Sequence, residues 1–266
     1  MILDIQHRTE YHFDASPHYG LQQIRLYPQS GLGQIIQSWE ITVQGGTVES
    51  VFNDHHHNRV YLVSLEKGAK KLTLLSQGRA HMQDQNGILG AHTGFTPLWL
   101  YQRSTYLTTS GQGVKALAKF MSAFEGTDLE MLHALSKEIG KRVTYETGQT
   151  DSMTTAEEAI KARAGVCQDH SHIFISAARF SGFPARYVSG YLMMNDRIAQ
   201  EATHAWAEVH IDDLGWVGFD VSNQISPDAR YVRVATGLDY SDAAPISGLT
   251  LGGHNESISV NVQVQQ

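Results

Sequence analysis

Gly165-Val166-Cys167-Gln168-Asp169-His170-Ser171-His172-Ile173-Phe174-Ile175-Ser176-Ala177-Ala178-Arg179-Phe180 holds the chain's single cysteine, at the head of a run with apolar residues at 173, 174, 177, 178 and 180. That spacing predicts a helix from about Cys167, stopped by Gly182 and Pro184. A helix N-terminus stabilises a thiolate, the reactive form of cysteine, through its unpaired N–H groups and positive dipole end. A lone cysteine is more often a small buried hydrophobe. Here the apolar residues begin only at Ile173, which places the thiol among polar groups. Upstream, residues 154–163 read as another helix, with a capping-box pattern at Thr154 and Glu157 or at Thr155 and Glu158.

Downstream, Thr203-His204-Ala205-Trp206-Ala207-Glu208-Val209-His210-Ile211 alternates with period two. His204, Trp206, Glu208 and His210 share one strand face, and Ala205, Ala207, Val209 and Ile211 the other. Asp212-Asp213-Leu214-Gly215 supplies a turn, and Trp216-Val217-Gly218-Phe219-Asp220-Val221 reads as the returning strand. Pairing Ile211 with Gly215 sets Asp220 opposite Trp206 and Ser222 opposite His204, which makes His204 and Asp220 diagonal neighbours within side-chain reach. An even-length loop without a bulge would send Asp220 to the other face. With the first register, Asp220 accepts an imidazole N–H and fixes the tautomer that faces sulfur. The candidate site is therefore Cys167 as nucleophile, His204 as base and Asp220 as orienter.

Three blocks together resemble the core of the bacterial transglutaminase-like superfamily. They are Gly165-Val166-Cys167-Gln168-Asp169 through Gly182-Phe183-Pro184-Ala185-Arg186-Tyr187-Val188-Ser189-Gly190-Tyr191, then His204-Ala205-Trp206, then Gly215-Trp216-Val217-Gly218-Phe219-Asp220. Asp239-Tyr240-Ser241-Asp242, with Pro245 and Gly248, resembles the family's tail. Phe13, Arg25-Leu26-Tyr27-Pro28 and the turn from Asp54 to Asn58 resemble the β-rich region that often precedes such a core. The resemblance implies an α+β fold, a papain-like core with an N-terminal β-sandwich-like domain, and the same three site residues. It also implies peptide or protein amides as substrates and does not choose between hydrolysis and crosslinking; hydrolysis is the slightly favoured expectation. Three positions depart from the family pattern: His170 where an aromatic is usual, Leu238 where arginine commonly precedes Asp-Tyr, and His57 where the N-terminal turn has glycine. The first is expected to alter the rim of the site, and the others to touch structure more than chemistry.

In the implied chemistry, the Cys167 backbone N–H supplies one oxyanion donor, and a second donor is needed. Trp99, Tyr101, Tyr145 and Gln168 are conceivable for it, although aromatic residues more often pack. Two alternatives belong to other classes: a zinc-dependent hydrolase built on Cys167, His170 or His172, and His204, or a catalytically silent protein-binding scaffold. His55-His56-His57 reads as a surface turn, because adjacent histidines diverge and rarely hold one ion. No metal or other cofactor is expected.

The remaining composition sets the context. At 266 residues, with 41% hydrophobic and 18% charged residues, the chain can form one large or two modest cores. A formal charge of −7 argues against general nucleic-acid binding. The densest basic cluster, Lys67-Gly68-Ala69-Lys70-Lys71, reads as a solvated hairpin tip. The first ten residues lack a basic start followed by a continuous apolar stretch, so no secretory signal is expected, and no run of about 18 apolar residues predicts a membrane helix. One cysteine permits no intrachain disulfide, and a catalytic thiol suits a reducing cytoplasm. Strands are expected at 2–13, 22–28, 35–44, 47–53, 58–65 and 70–80, and helical spacing from about 113 to 142. The expected organisation is a β-rich domain over 1–105, the transglutaminase-like core over 106–250 and a C-terminal strand over 251–266.

Overall fold

The computed structural model describes residues 1–93, 96–194, 198–200, 202–253 and 255–266. Six long strands come first, β1 (Ile2–Phe13), β2 (Tyr19–Tyr27), β3 (Gln34–Gln44), β4 (Gly46–Asn53), β5 (Arg59–Leu65) and β6 (Lys71–Met82), then the short β7 (Ile88–Gly90). The helical middle comprises α1 (Gln112–Ser122), α2 (Asp128–Arg142), β8 (Thr144–Tyr145), α3 (Ala156–Ala162), β9 (Ala164–Gly165) and α4 (Cys167–Phe180). The last part runs β10 (Ala185–Leu192), β11 (Ala199–Gln200), β12 (His204–Ile211), β13 (Gly215–Phe219), β14 (Tyr231–Gly237), α5 (Tyr240–Ala243), β15 (Ile246–Leu251) and β16 (Glu256–Gln265).

Two antiparallel sheets form a sandwich, one in the order β11-β16-β1-β6-β3 and the other β15-β2-β5-β4. Period-two patterning explains it: Leu3, Ile5, His7, Thr9, Tyr11 and Phe13 of β1 are buried while their neighbours face outward. Tyr11, Phe13, Ile24, Leu26, Val63, Leu72 and Leu74 fill the space between the sheets. The C-terminal strands complete both layers, β15 pairing with β2 and β16 with β1. The basic cluster at 67–71 is not a hairpin tip. β5 and β6 lie in different sheets, so this turn, closed by Ala69 N–H on the Glu66 carbonyl, carries the chain across the sandwich.

A second antiparallel sheet system, β14-β10-β12-β13-β7, supports the helices. The Ala205, Ala207, Val209 and Ile211 face of β12 packs with Ile173, Phe174 and Ala177 of α4, and Leu117, Leu132, Leu135 and Ile139 of α1 and α2 close over them. The capping box of α3 uses Thr155 and Glu158. Glu157 serves another helix, accepting the Gly113 and Val114 N–H groups at the start of α1. Both faces of β12 are buried, because Trp206 and Glu208 lie beneath the sandwich instead of facing water. No helix among the described residues is long and apolar enough to cross a membrane.

Candidate active site

Cys167 is the first residue of α4 and is half-buried. The loop before it is clamped from within the helix. Asp169 Oδ2 accepts the Val166 N–H at 2.7 Å and the Thr150 hydroxyl at 2.7 Å. Gly165 permits this approach: a Cβ there would lie 2.7 Å from that of Asp169. The polar start of the helix is not a solvated face, since Asp169, His170, Ser171 and His172 are all buried. Side-chain partners compensate for the apolar surroundings. His170 donates from Nε2 to the Val143 carbonyl at 3.1 Å and accepts the Ser222 hydroxyl at Nδ1, 2.9 Å away. His172 accepts the Tyr240 N–H at Nε2. Burial lowers the pKa of both imidazoles, that of His172 to about 3, and keeps them neutral.

The β12–β13 hairpin has the register with Ile211 opposite Gly215 and Ala207 opposite Phe219. The ladder then ends. Asp220 bridges Ile225 instead of continuing opposite Trp206. Its side chain still lies toward β12, and His204 Nε2 sits 2.6 Å from Asp220 Oδ2. Cys167 is close enough for its charge to act on the His204 imidazole, and with Nε2 taken by Asp220 the nitrogen left for sulfur is Nδ1. Burial opposes protonation of His204, but the charge of Cys167 and the hydrogen bond to Asp220 outweigh it and raise its pKa to about 10. The imidazolium is therefore the resting form whenever the sulfur is ionised.

Asp220 is fully buried and well supplied with donors. Its Oδ2 also accepts Asn223 Nδ2 and the Tyr231 hydroxyl, each at 2.7 Å, and its Oδ1 accepts the Ser222 and Asn223 backbone N–H groups. Burial alone would raise the carboxyl pKa; the hydrogen bonds from His204, Asn223 and Tyr231 and the His204 charge reverse this and hold it below the usual value. Burial, with Asp220 beside it, raises the Tyr231 phenol, so it remains a donor. The Asp220 bond to the Ser222 N–H, two residues on, is an Asx-turn, and Asn223 is the next residue in sequence. Tyr231 arrives from β14 and has no local signal.

The four conceivable oxyanion donors are scattered. Tyr101 is buried between His92 and Trp216, Trp99 is exposed, and Gln168 donates to the Ser152 carbonyl. Tyr145 pairs with Gly165 across β8 and β9 and lies edge-on to His170, with ring centroids 6.1 Å apart. The zinc alternative finds no support, because His170 and His172 point at the partners named above. Among the described residues no cluster of His, Cys, Asp and Glu could hold a metal ion.

Residues 115–221 match the model of the transglutaminase-like superfamily core, and residues 3–81 match that of the bacterial transglutaminase-like N-terminal region. The chain belongs to the transglutaminase-like superfamily. An uncharacterized protein of Mycobacterium tuberculosis is 38% identical over 147 residues, 51% of this chain and 47% of that protein. The chain thus spans about half the length of such relatives. An uncharacterized protein of Mycobacterium leprae is 24% identical over 285 residues, covering 98% of this chain and 97% of its own. The crystal structure of a "Putative Cysteine Protease from Cytophaga hutchinsonii" superposes with a TM-score of 0.78 at 21% identity, over 100% of this chain and 98% of that one, and shows the shared fold.

The departures from the superfamily pattern now have physical settings. His170 is a buried tether between Val143 and Ser222, not a rim residue. Leu238 packs with Tyr101 and Trp216. His57 has φ of 64°, the left-handed conformation that glycine adopts without strain. The triple histidine is not wholly a surface turn. His56 is buried with Nε2 3.3 Å from Asp242, and Asn58 exchanges hydrogen bonds with the Thr236 backbone, so this turn docks on β14 and the segment after it.

Replacing Tyr231 with phenylalanine deletes a donor to Asp220 without removing the ring. The Asp220 carboxyl should then titrate at higher pH, nearer its ordinary value. Activity that needs ionised Asp220 is lost as pH falls through this pKa, so the acid arm of the activity profile is expected to move upward. An unchanged acid arm in a Tyr231→Phe pH–rate series would contradict the assignment.

Proposed function

We infer that the chain is a cysteine-dependent enzyme that cleaves peptide or protein amides through a thioester, with Cys167 as nucleophile, His204 as acid and base, and Asp220 as orienter. One observation carries this reading: the thiol at the start of α4 lies beside an imidazole that a buried carboxylate holds through Nε2. Membership of the superfamily supports the same chemistry.

The thiolate attacks the amide carbonyl carbon, and the carbonyl electron pair moves onto oxygen beside the Cys167 backbone N–H. Each donor to that oxyanion is worth roughly 3 kcal/mol in the barrier. The pair returns as the C–N bond breaks, and His204 passes its proton to the departing amine, leaving a thioester. Neutral His204 then takes a proton from water as the oxygen attacks. Collapse releases the acid and restores the thiolate and imidazolium. A lysine amine in place of water would give a crosslink. The half-buried thiol leaves the thioester accessible to water, which supports hydrolysis. The single thiol suits a reducing compartment, and we place the protein in the cytoplasm.

The test is intact-mass analysis after mixing with a panel of peptide amides, with and without added primary amine. A Cys167-linked acyl adduct that decays to free acid in either condition supports hydrolysis. An adduct resolved only by amine would reassign the reaction to transfer. No adduct on any amide, with Cys167 freely alkylated, would favour the scaffold reading.

A further inference from the structure

Behind the Cys167 site, between the sandwich and the face of β12 turned away from α4, lies a cavity of about 480 Å3. This is within the range of small-molecule sites. Both parts of the chain build it: Leu32 and Gln34 come from the sandwich, and Arg186, Glu208, Trp216 and Arg233 from the core sheet. Gln34 fixes the two walls together, donating from Nε2 to the Arg233 carbonyl and accepting the Arg233 N–H at Oε1, each at 2.8 Å. The cavity is thus preformed.

Its electrostatics are unbalanced. Glu208 is fully buried and receives Arg186 Nε at 2.5 Å and Arg233 Nε at 2.9 Å, so two guanidinium groups share one carboxylate. Asp228, also on the wall, is taken by Arg230 at 2.6 Å. Arg186 lies over Trp216, its Cζ 3.8 Å from the ring centroid. Among the described residues, the guanidinium nitrogens Nη1 and Nη2 of Arg186 and Nη1 of Arg233 donate no hydrogen bond. One positive charge with free, forked donors therefore faces a cavity with aromatic walls. Planar guanidinium forks match carboxylate geometry in pairs.

We propose that this cavity is a binding site for a small monocarboxylate with a flat apolar body, its carboxylate on Arg186 and Arg233 and its body against Trp206 and Trp216. The site is separate from the thiol chemistry and does not depend on it.

The experiment titrates benzoate, and neutral benzamide as its isostere, into the Cys167→Ala protein by calorimetry, so that catalysis plays no part. Benzoate is expected to bind at least about tenfold more tightly than benzamide, a difference of about 1.4 kcal/mol. Arg233→Gln, which leaves Arg186 neutralised by Glu208, is expected to erase most of that preference. A crystal grown with 4-bromobenzoate locates the ligand independently of any variant, with bromine expected beside the tryptophans. Equal affinity for benzoate and benzamide, bromine elsewhere, or binding at crystal concentration only would overturn the proposal.

Discussion

Cys167→Ala is expected to lower turnover of the amide substrate at least 10³-fold, because no other group can form the thioester. Removal of a nucleophile from a working triad typically costs 10³–10⁶-fold, and 10⁴ alone corresponds to about 5.5 kcal/mol of barrier. The half-buried first position of α4 tolerates alanine, and the clamp from Asp169 to Val166 and Thr150 does not involve the sulfur. The fold should therefore survive, as a circular dichroism melt will report. Cys167→Ser should fall almost as far, since an alcohol ionises far less readily than a thiol. Turnover within tenfold of the parent in either variant would exclude the thioester route.

Arg179→Met is expected to cost about 3–5 kcal/mol of stability, a large share of the 5–15 kcal/mol typical of a folded domain. The Arg179 guanidinium is buried near the end of α4. It donates to the carbonyls of Tyr101, Ala185 and Leu238 and to the Thr108 hydroxyl. Burial lowers its pKa to about 10, and the charges of Asp239 and Asp242 oppose that fall, so it stays protonated at neutral pH. Methionine fills much of the volume but leaves these acceptors unpaired, and three chain segments lose their common anchor. Lysine offers one ammonium where a fork is needed, so Arg179→Lys should recover little. Urea unfolding at 25 °C measures both, and a loss below about 1 kcal/mol for Arg179→Met would refute this role.

The sequence displays the site more fully than its surroundings. Helical spacing after Cys167 marks α4, and the turn at 212–215 sets the hairpin register that brings His204 and Asp220 together. The juxtaposition survives even though β13 stops at Phe219, because the loop bridge at Asp220 keeps the carboxylate on the same side. Burial of polar residues is less legible. Asp169, His170 and His172 look like a solvated helix start until Thr150, Val143, Ser222 and Tyr240 arrive from distant elements. Period-two patterning gives β12 a polar face, but Glu208 on that face is neutralised by Arg186 and Arg233 under the sandwich. His56 is hidden in the same way, since its partner Asp242 lies 186 positions along the chain. Local patterns report the chemistry that neighbours in sequence provide, whereas tertiary partners decide which polar groups leave water.

The most direct measurement is the rate of Cys167 alkylation by iodoacetamide from pH 5 to 10, in the parent, in His204→Ala and in Asp220→Asn. An imidazolium beside the sulfur favours the thiolate, the form that alkylates, so the parent is expected to react at pH 6. His204→Ala is expected to cut the pH 6 rate at least about tenfold, with a smaller loss in Asp220→Asn. Superimposable profiles for the parent and His204→Ala would contradict the pairing of Cys167 with His204, and with it the account of this site.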